Sequence, residues 1–455
     1  MEKLLSEVLE RIKPTPEEKE WEMSIAEWVK SRLRRVMPKN VEIEIVGSIA
    51  KNTDLRNDRD VDMFMLFPKG TAKSELVTKG LAYAKRAVSP HPWQIGYAEH
   101  PYLKAEVEGC TIELVPSFRI TNINERASAV DRSPLHKRYI LSKLDEKKCD
   151  EVRLLKQFLK RLGVYGAELR VEGFSGYLCE LLVVHYGSFI GLLKNSSNWS
   201  RPVIDIEGYH SEKELREKFN APLIVIDPVD KNRNVAAAVS PISLSKLILA
   251  SRAFLRKPSK GFFFSEDKEF SKKELSEKMM SRGTKFVALA FPAPKVVPDI
   301  LWPQLRKAAG SIAKHLELSE FKLFGYDFWS DESKRCVVLL ELSTYHLPAI
   351  RKAIGPAVTY EKDVGSFIRK HRNAVEGPRI EGDKVVAVER RDITDAIVLI
   401  KKIIRNPGGY AIPSHISKTI KKGYVLVDED ILKESFNEFV DSYLSKREFF
   451  INDLI

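Results

Sequence analysis

The chain is 455 residues long, 44% hydrophobic and 30% charged, with 23 glycines and 23 prolines. That composition excludes a disordered, collagen-like or low-complexity chain, and the length suggests about three domains. The excess of 75 Lys and Arg over 63 Asp and Glu leaves +12, which favours a polyanionic partner.

Apolar residues spaced three and four apart over residues 1–36 predict two amphipathic helices, broken at Pro14 and Pro16. Strand-like runs follow at 41–46, 61–67, 94–97, 102–107 and 111–115, with one helical stretch at 73–87. This is an α/β unit with a mixed sheet of five strands. The middle region reads mainly helical, at 151–162, as one buried helix over 175–193, and at 243–256. A short apolar strand, 223–226, runs into Asp227-Pro228. Beyond a loop-like seam at 257–261 the chain alternates again. Strands are expected at 284–291, 322–329 and 335–342, and helices at 302–316 and 364–370.

The predicted fold is therefore α+β and multidomain. Residues 1–140 form a head with a mixed sheet, 141–262 a mainly helical central domain, and 263–455 an α+β C-terminal region. The positive excess is +2, +6 and +4 over these three, spread as a broad surface and not packed into a tail. Cys110, Cys149, Cys179 and Cys336 have neither metal-ligand spacing nor the density of a disulfide framework, so they read as reduced thiols. The first residues lack a signal peptide's basic start and apolar run, and no stretch reads as a membrane span. A soluble, cytoplasmic protein is expected.

The sharpest chemical signal is Gly47-Ser48, then Asp60-Val61-Asp62 opening an apolar strand. Side chains two apart in a strand face the same way, so both carboxylates project to one side. Carboxylates so close repel unless a cation lies between them, and hard oxygen ligands suit Mg²⁺. Gly47 permits a tight turn, and Ser48 opens the next helix, where free N–H groups and a hydroxyl can hold phosphate. Glu113, polar in an otherwise apolar strand, is the natural third carboxylate. Three carboxylates with two metals serve in-line phosphoryl displacement.

Gly47-Ser48 with Asp60-Val61-Asp62 resembles the DNA polymerase β nucleotidyltransferase superfamily. Longer blocks narrow the resemblance: Tyr97-Ala98-Glu99-His100-Pro101-Tyr102, Asp131-Arg132-Ser133-Pro134-Leu135-His136, Gly173-Phe174-Ser175-Gly176-Tyr177 and Asp227-Pro228-Val229-Asp230-Lys231-Asn232-Arg233-Asn234. Together they are similar to the archaeal, class I CCA-adding enzymes, tRNA nucleotidyltransferases that build the 3′ CCA end. The resemblance implies a polymerase-β-like head, a C-terminal RNA-binding region, and addition of C, C and A from CTP and ATP. It implies tRNA as partner, a two-metal Mg²⁺ site on Asp60, Asp62 and Glu113, and a homodimer. Ser48, Lys51, Ser133, His136, Lys156 and Tyr165 would contact phosphate, and Arg233 would face the incoming base. The family pattern has Glu then Asp at the first pair and Asp at the third position. Here the first carboxylate is one methylene shorter and the third one longer. Lys51 stands where Arg is frequent, which gives up a bidentate fork for a point charge. Competing readings are a poly(A) polymerase of the same superfamily and a non-catalytic tRNA-binding protein.

Overall fold

The first two helices, α1 (Glu2–Ile12) and α2 (Pro16–Val36), are separated where the prolines predict. Thr15 caps α2 by accepting from the Glu18 amide at 3.1 Å, and Pro16 takes the first turn, where its missing N–H costs nothing. The computed structural model describes residues 1–97, 100–265 and 271–455. Contacts divide the chain into two compact units, Met1–Asp267 with Arg447–Ile455, and Lys268–Lys446.

In the first unit, β1 (Glu42–Val46), β2 (Asp60–Phe67), β3 (Trp93–Tyr97), β4 (Pro101–Val107) and β5 (Cys110–Phe118) form one sheet in the order β1-β2-β5-β4-β3. Strands β2 and β5 run parallel from Asp60 opposite Thr111 to Phe67 opposite Phe118; the other pairs are antiparallel. This is the mixed five-stranded sheet that the sequence predicts. Alternation sorts β2 by face: Val61, Met63, Met65 and Phe67 enter a core closed by α2 and α4 (Lys73–Val88). Phe64 and Leu66 face the other way, against Val46 and Val115, and this second face carries Asp62 at its polar end.

The central part of this unit is built on α5 (Ser133–Lys143), α6 (Glu146–Arg161), α7 (Gly176–Tyr186), α8 (Phe189–Ser196) and Pro241–Arg256. The single helix expected over 175–193 is two, α7 and α8, bent by 88°. Gly187, at φ +79°, turns left-handed and ends α7, and Ser188 caps α8 by accepting from the Gly191 amide at 3.0 Å. No single helix among the described residues is long and apolar enough to cross a membrane. The strand expected at 223–226 is β7 (Ile224–Asp227). It follows the short β6 (Val203–Ile204) and turns at Pro228-Val229 into β8 (Asp230–Asn234). An aromatic cluster of Phe158, Phe189, Phe254, Phe262 and Phe263 closes this core, and the chain's last segment adds Phe449 and Phe450 to it.

The second unit holds a four-stranded antiparallel sheet, with Lys322–Ser330, Arg335–Thr344, Lys285–Pro292 and Tyr424–Val427 in that order. The helix Pro298–Leu318 covers one face and Lys272–Ser281 the other. A separate three-stranded sheet, from Ile350–Ala357, Lys384–Arg390 and Glu376–Glu381, has no counterpart among the predicted strands.

Candidate active site

Strand β1 ends at Val46, which pairs with Asp62 on β2, and the chain then turns sharply at Gly47 into α3 (Gly47–Ala50). Gly47 sits at φ +72°, and a Cβ there would lie 2.0 Å from an Asp62 carboxylate oxygen. Only glycine lets the backbone pass so close to that carboxylate. Ser48 follows, and its carbonyl accepts from the amides of Lys51 (3.1 Å) and Thr53 (3.0 Å), closing the turn.

Asp62 lies directly opposite Glu113 in the parallel register. Lys104, opposite Glu113 on β4, reaches its Oε1 at 3.7 Å. Burial, then the charges of Glu113 and Asp60, push the Asp62 carboxyl up to about 7. Glu113 is also raised, chiefly by burial, against the pull of Lys104. Asp60 is raised by burial and by Asp58; it sits one pleat upstream on β2, opposite Thr111. Paired carboxylates that resist ionising together are what a cation would relieve, so the donor set fits a hard divalent ion. Among the described residues, no three His, Cys, Asp or Glu side chains are already gathered into a metal-holding group.

A cavity of about 320 Å³ opens over this face, and Gly47, Lys51, Asp62, Glu113, Ser133, His136 and Tyr177 line it. Five of the predicted site residues (Lys51, Asp62, Glu113, Ser133, His136) thus converge. Ser48, Asp60, Lys156, Tyr165 and Arg233 are not on that lining. Lys51 donates to Glu180 at 2.5 Å, and Thr53 donates to the same carboxylate at 2.7 Å. Lys156 is buried behind them, donating to the Thr53 carbonyl at 2.7 Å, and burial pushes its ammonium pKa down. Its side chain and the Tyr165 hydroxyl both meet Gly176, at the start of α7. Arg233 donates to Asp227 at 2.9 Å and stays one-third exposed.

Nothing in the sequence singles out Lys104, Tyr177 or Asp227 for a role. Glu180 is buried, and Lys51 and Thr53 together satisfy it. Asp227 joins His136, Tyr177 and Arg233. The register of β4 on β5 would have pointed to Lys104. Of the block 97–102, Ala98 and Glu99 lie outside the described residues, and His100 rests its Nε2 2.6 Å from the Pro116 carbonyl.

The chain is 36% identical to a CCA-adding enzyme of Methanothermobacter thermautotrophicus over 97% of both chains. A CCA-adding enzyme of Methanocaldococcus jannaschii is 37% identical, with 92% of this chain and 94% of that one covered. The chain belongs to the CCA-adding enzyme family. A third relative, the CCA-adding enzyme of Haloarcula marismortui, is 35% identical over 98% of both chains. Family models place a nucleotidyltransferase domain at residues 25–144, a tRNA nucleotidyltransferase second domain at 150–264 and a CCA-adding enzyme C-terminal domain at 282–429. The head of this family member therefore has the polymerase-β-like nucleotidyltransferase fold.

Proposed function

We propose that the protein adds and repairs the 3′-terminal CCA of tRNA from CTP and ATP, without a template. The reading is carried by one observation beyond kinship: Asp62 and Glu113 share one register-locked cavity with Lys51, Ser133 and His136. In each step the tRNA 3′-oxygen forms a bond to the α-phosphorus. The bond from that phosphorus to the bridging oxygen breaks, pyrophosphate leaves, and the hydroxyl proton is released.

Asp60, Asp62 and Glu113 would hold Mg²⁺ as a two-metal site. Bound there, the ions lower the pKa of the attacking hydroxyl and offset charge on the triphosphate. Lys51 faces the cavity as a cationic donor for phosphate and His136 as a ring that would donate from Nδ1 once protonated, with Ser133 and Ser48 offering hydroxyls at the starts of α5 and α3. Lys156 and Tyr165 would support the same phosphates from behind α7. Arg233 would present its guanidinium to the Watson–Crick edge of the base. At the ring nitrogen of that edge cytosine and adenine present an acceptor, where guanine and uracil present an N–H donor. The basic C-terminal region would hold tRNA by shape and phosphates. A cytoplasmic homodimer is the form in which we expect it to act.

The test uses tRNA ending at the discriminator base, Mg²⁺, and CTP and ATP singly and together, with products resolved at single-nucleotide length. CTP alone should give two additions, and both nucleotides three and then a stop. Open-ended adenylate addition would make it a poly(A)-type polymerase. Binding of tRNA without addition would leave a non-catalytic tRNA-binding protein.

A further inference from the structure

Asp227, at the end of β7, is fully buried, yet four donors from separate places converge on it. Its Oδ2 lies 2.9 Å from His136 Nε2 on α5 and accepts from Arg233 Nη1 on β8, also at 2.9 Å. Its Oδ1 accepts from the Tyr177 hydroxyl on α7 and from the Val229 amide, each at 3.1 Å. The Tyr177 ring stacks on His136 with centroids 3.9 Å apart and planes 20° from parallel. His136 and Tyr177 line the cavity; Arg233, off that lining, shares the Asp227 Oδ2 with His136.

We propose that Asp227 is a positioning residue that hangs the phosphate-facing His136 and the base-facing Arg233 from one carboxylate, so that grip on the triphosphate and choice of base are set together. The inference rests on the roles proposed above for His136 and Arg233. Both Asp227 oxygens are spent on protein donors, so it has no lone pair to offer a substrate, and its action must pass through its neighbours. Swinging either side chain toward solvent would leave a buried anion short of a donor, which holds both rotamers fixed. With one guanidinium nitrogen committed to Asp227, Arg233 keeps the rest of its fork at a fixed angle. Base choice needs a fixed donor pattern, and a freely rotating guanidinium cannot supply one. The neighbours also protect the anion. Burial works to raise the Asp227 carboxyl, but the bond and charge of His136, the Val229 amide and Arg233 hold it at about 2.

The test is Asp227→Asn, read by inhibition with inorganic tripolyphosphate and by the ratio of UTP to CTP incorporation. Removing a negative charge beside an anion site would by itself tighten tripolyphosphate binding. Lost orientation instead weakens it, and we expect roughly fivefold weaker inhibition together with a roughly fivefold higher UTP ratio. Tighter or unchanged inhibition, or an unchanged ratio, in a folded variant overturns the coupling. If Asp227→Asn does not fold, the crossed variants carry the test. Arg233→Ala should weaken tripolyphosphate inhibition, and His136→Ala should raise the UTP ratio; either crossed effect failing overturns the coupling. Each variant also reports on its own end of the nucleotide. His136→Ala with unchanged tripolyphosphate inhibition, or Arg233→Ala with unchanged base choice, would sink the assigned roles, and the coupling with them.

Discussion

Asp62 stands directly opposite Glu113 across the parallel β2–β5 pair, with Gly47 pressed against the Asp62 carboxylate from the turn after β1. Each strand's inward residues are fixed in the core, so neither carboxylate can slide away from the other without shifting a whole ladder. The repulsion between them is therefore built into the sheet and is present before any substrate arrives.

That repulsion has a pH signature. With its folded pKa raised from 3.8 to about 7, Asp62 binds more protons in the folded state than in the unfolded one. Its contribution to stability is whole below the unfolded pKa and is lost as pH rises through about 7. Denaturant midpoints of the metal-free protein should fall across that window. Asp62→Asn, or millimolar Mg²⁺, should flatten the fall, while Asp62→Asn abolishes nucleotide addition. An equally steep fall in the variant would remove Asp62 as its cause.

Gly47→Ala should be costly in two ways. The added methyl would meet Asp62 at 2.0 Å, and φ +72° strains any residue with a Cβ. A stability loss of about 1–3 kcal/mol is expected, measured by urea unfolding. Nucleotide addition should fall further than that loss explains, since Asp62 must move aside.

Lys104 neutralises part of Glu113 from the neighbouring strand. Lys104→Met removes that competition for the carboxylate. The Mg²⁺ concentration giving half-maximal activity should drop roughly threefold, on the scale of one partly exposed ion pair. A rise would mean that Lys104 serves the nucleotide and does not compete with the ion.

Glu180 is the counter-ion of a buried cluster in which Lys51 and Lys156 both stand nearby. Glu180→Gln leaves two ammonium groups sharing neutral partners, and breaking such a buried pair costs about 3–5 kcal/mol. Chemical denaturation should show a loss of that order. Lys51→Met in the Glu180→Gln background should restore part of it.

Strand β2 was legible because its chemistry is local. Asp60-Val61-Asp62 followed by Met63–Phe67 states both the pleat and the exposed end, and Glu113 interrupts a second apolar strand in the same manner. The break at Gly187 was not legible in that way. Residues 181–184 and 189–193 are alike in apolar character on either side of the short stretch 185–188, and it is the left-handed backbone at Gly187 with the Ser188 cap that makes that stretch a helix break. Asp227 was visible only as one letter of a long motif. Its partners His136 and Tyr177 come from helices far earlier in the chain, so the carboxylate acquires meaning only when β7 is laid beside them. Lys156 is expected at the phosphates by resemblance alone; nothing local in its helix shows that α6 turns it inward onto the Thr53 carbonyl.

The aromatic cluster of the first unit includes Phe450, which is completely buried, and Phe262 meets the Phe449 and Phe450 rings at 5.5 and 6.3 Å. Because residues 271–446 are translated in between, a growing chain carries Phe158, Phe254 and Phe262 without their last neighbours until the second unit has left the ribosome. Completion of the first unit thus waits until residues 449 and 450 are made, and any chain cut short before Phe449 presents an unfinished apolar surface to the quality-control machinery of the cell.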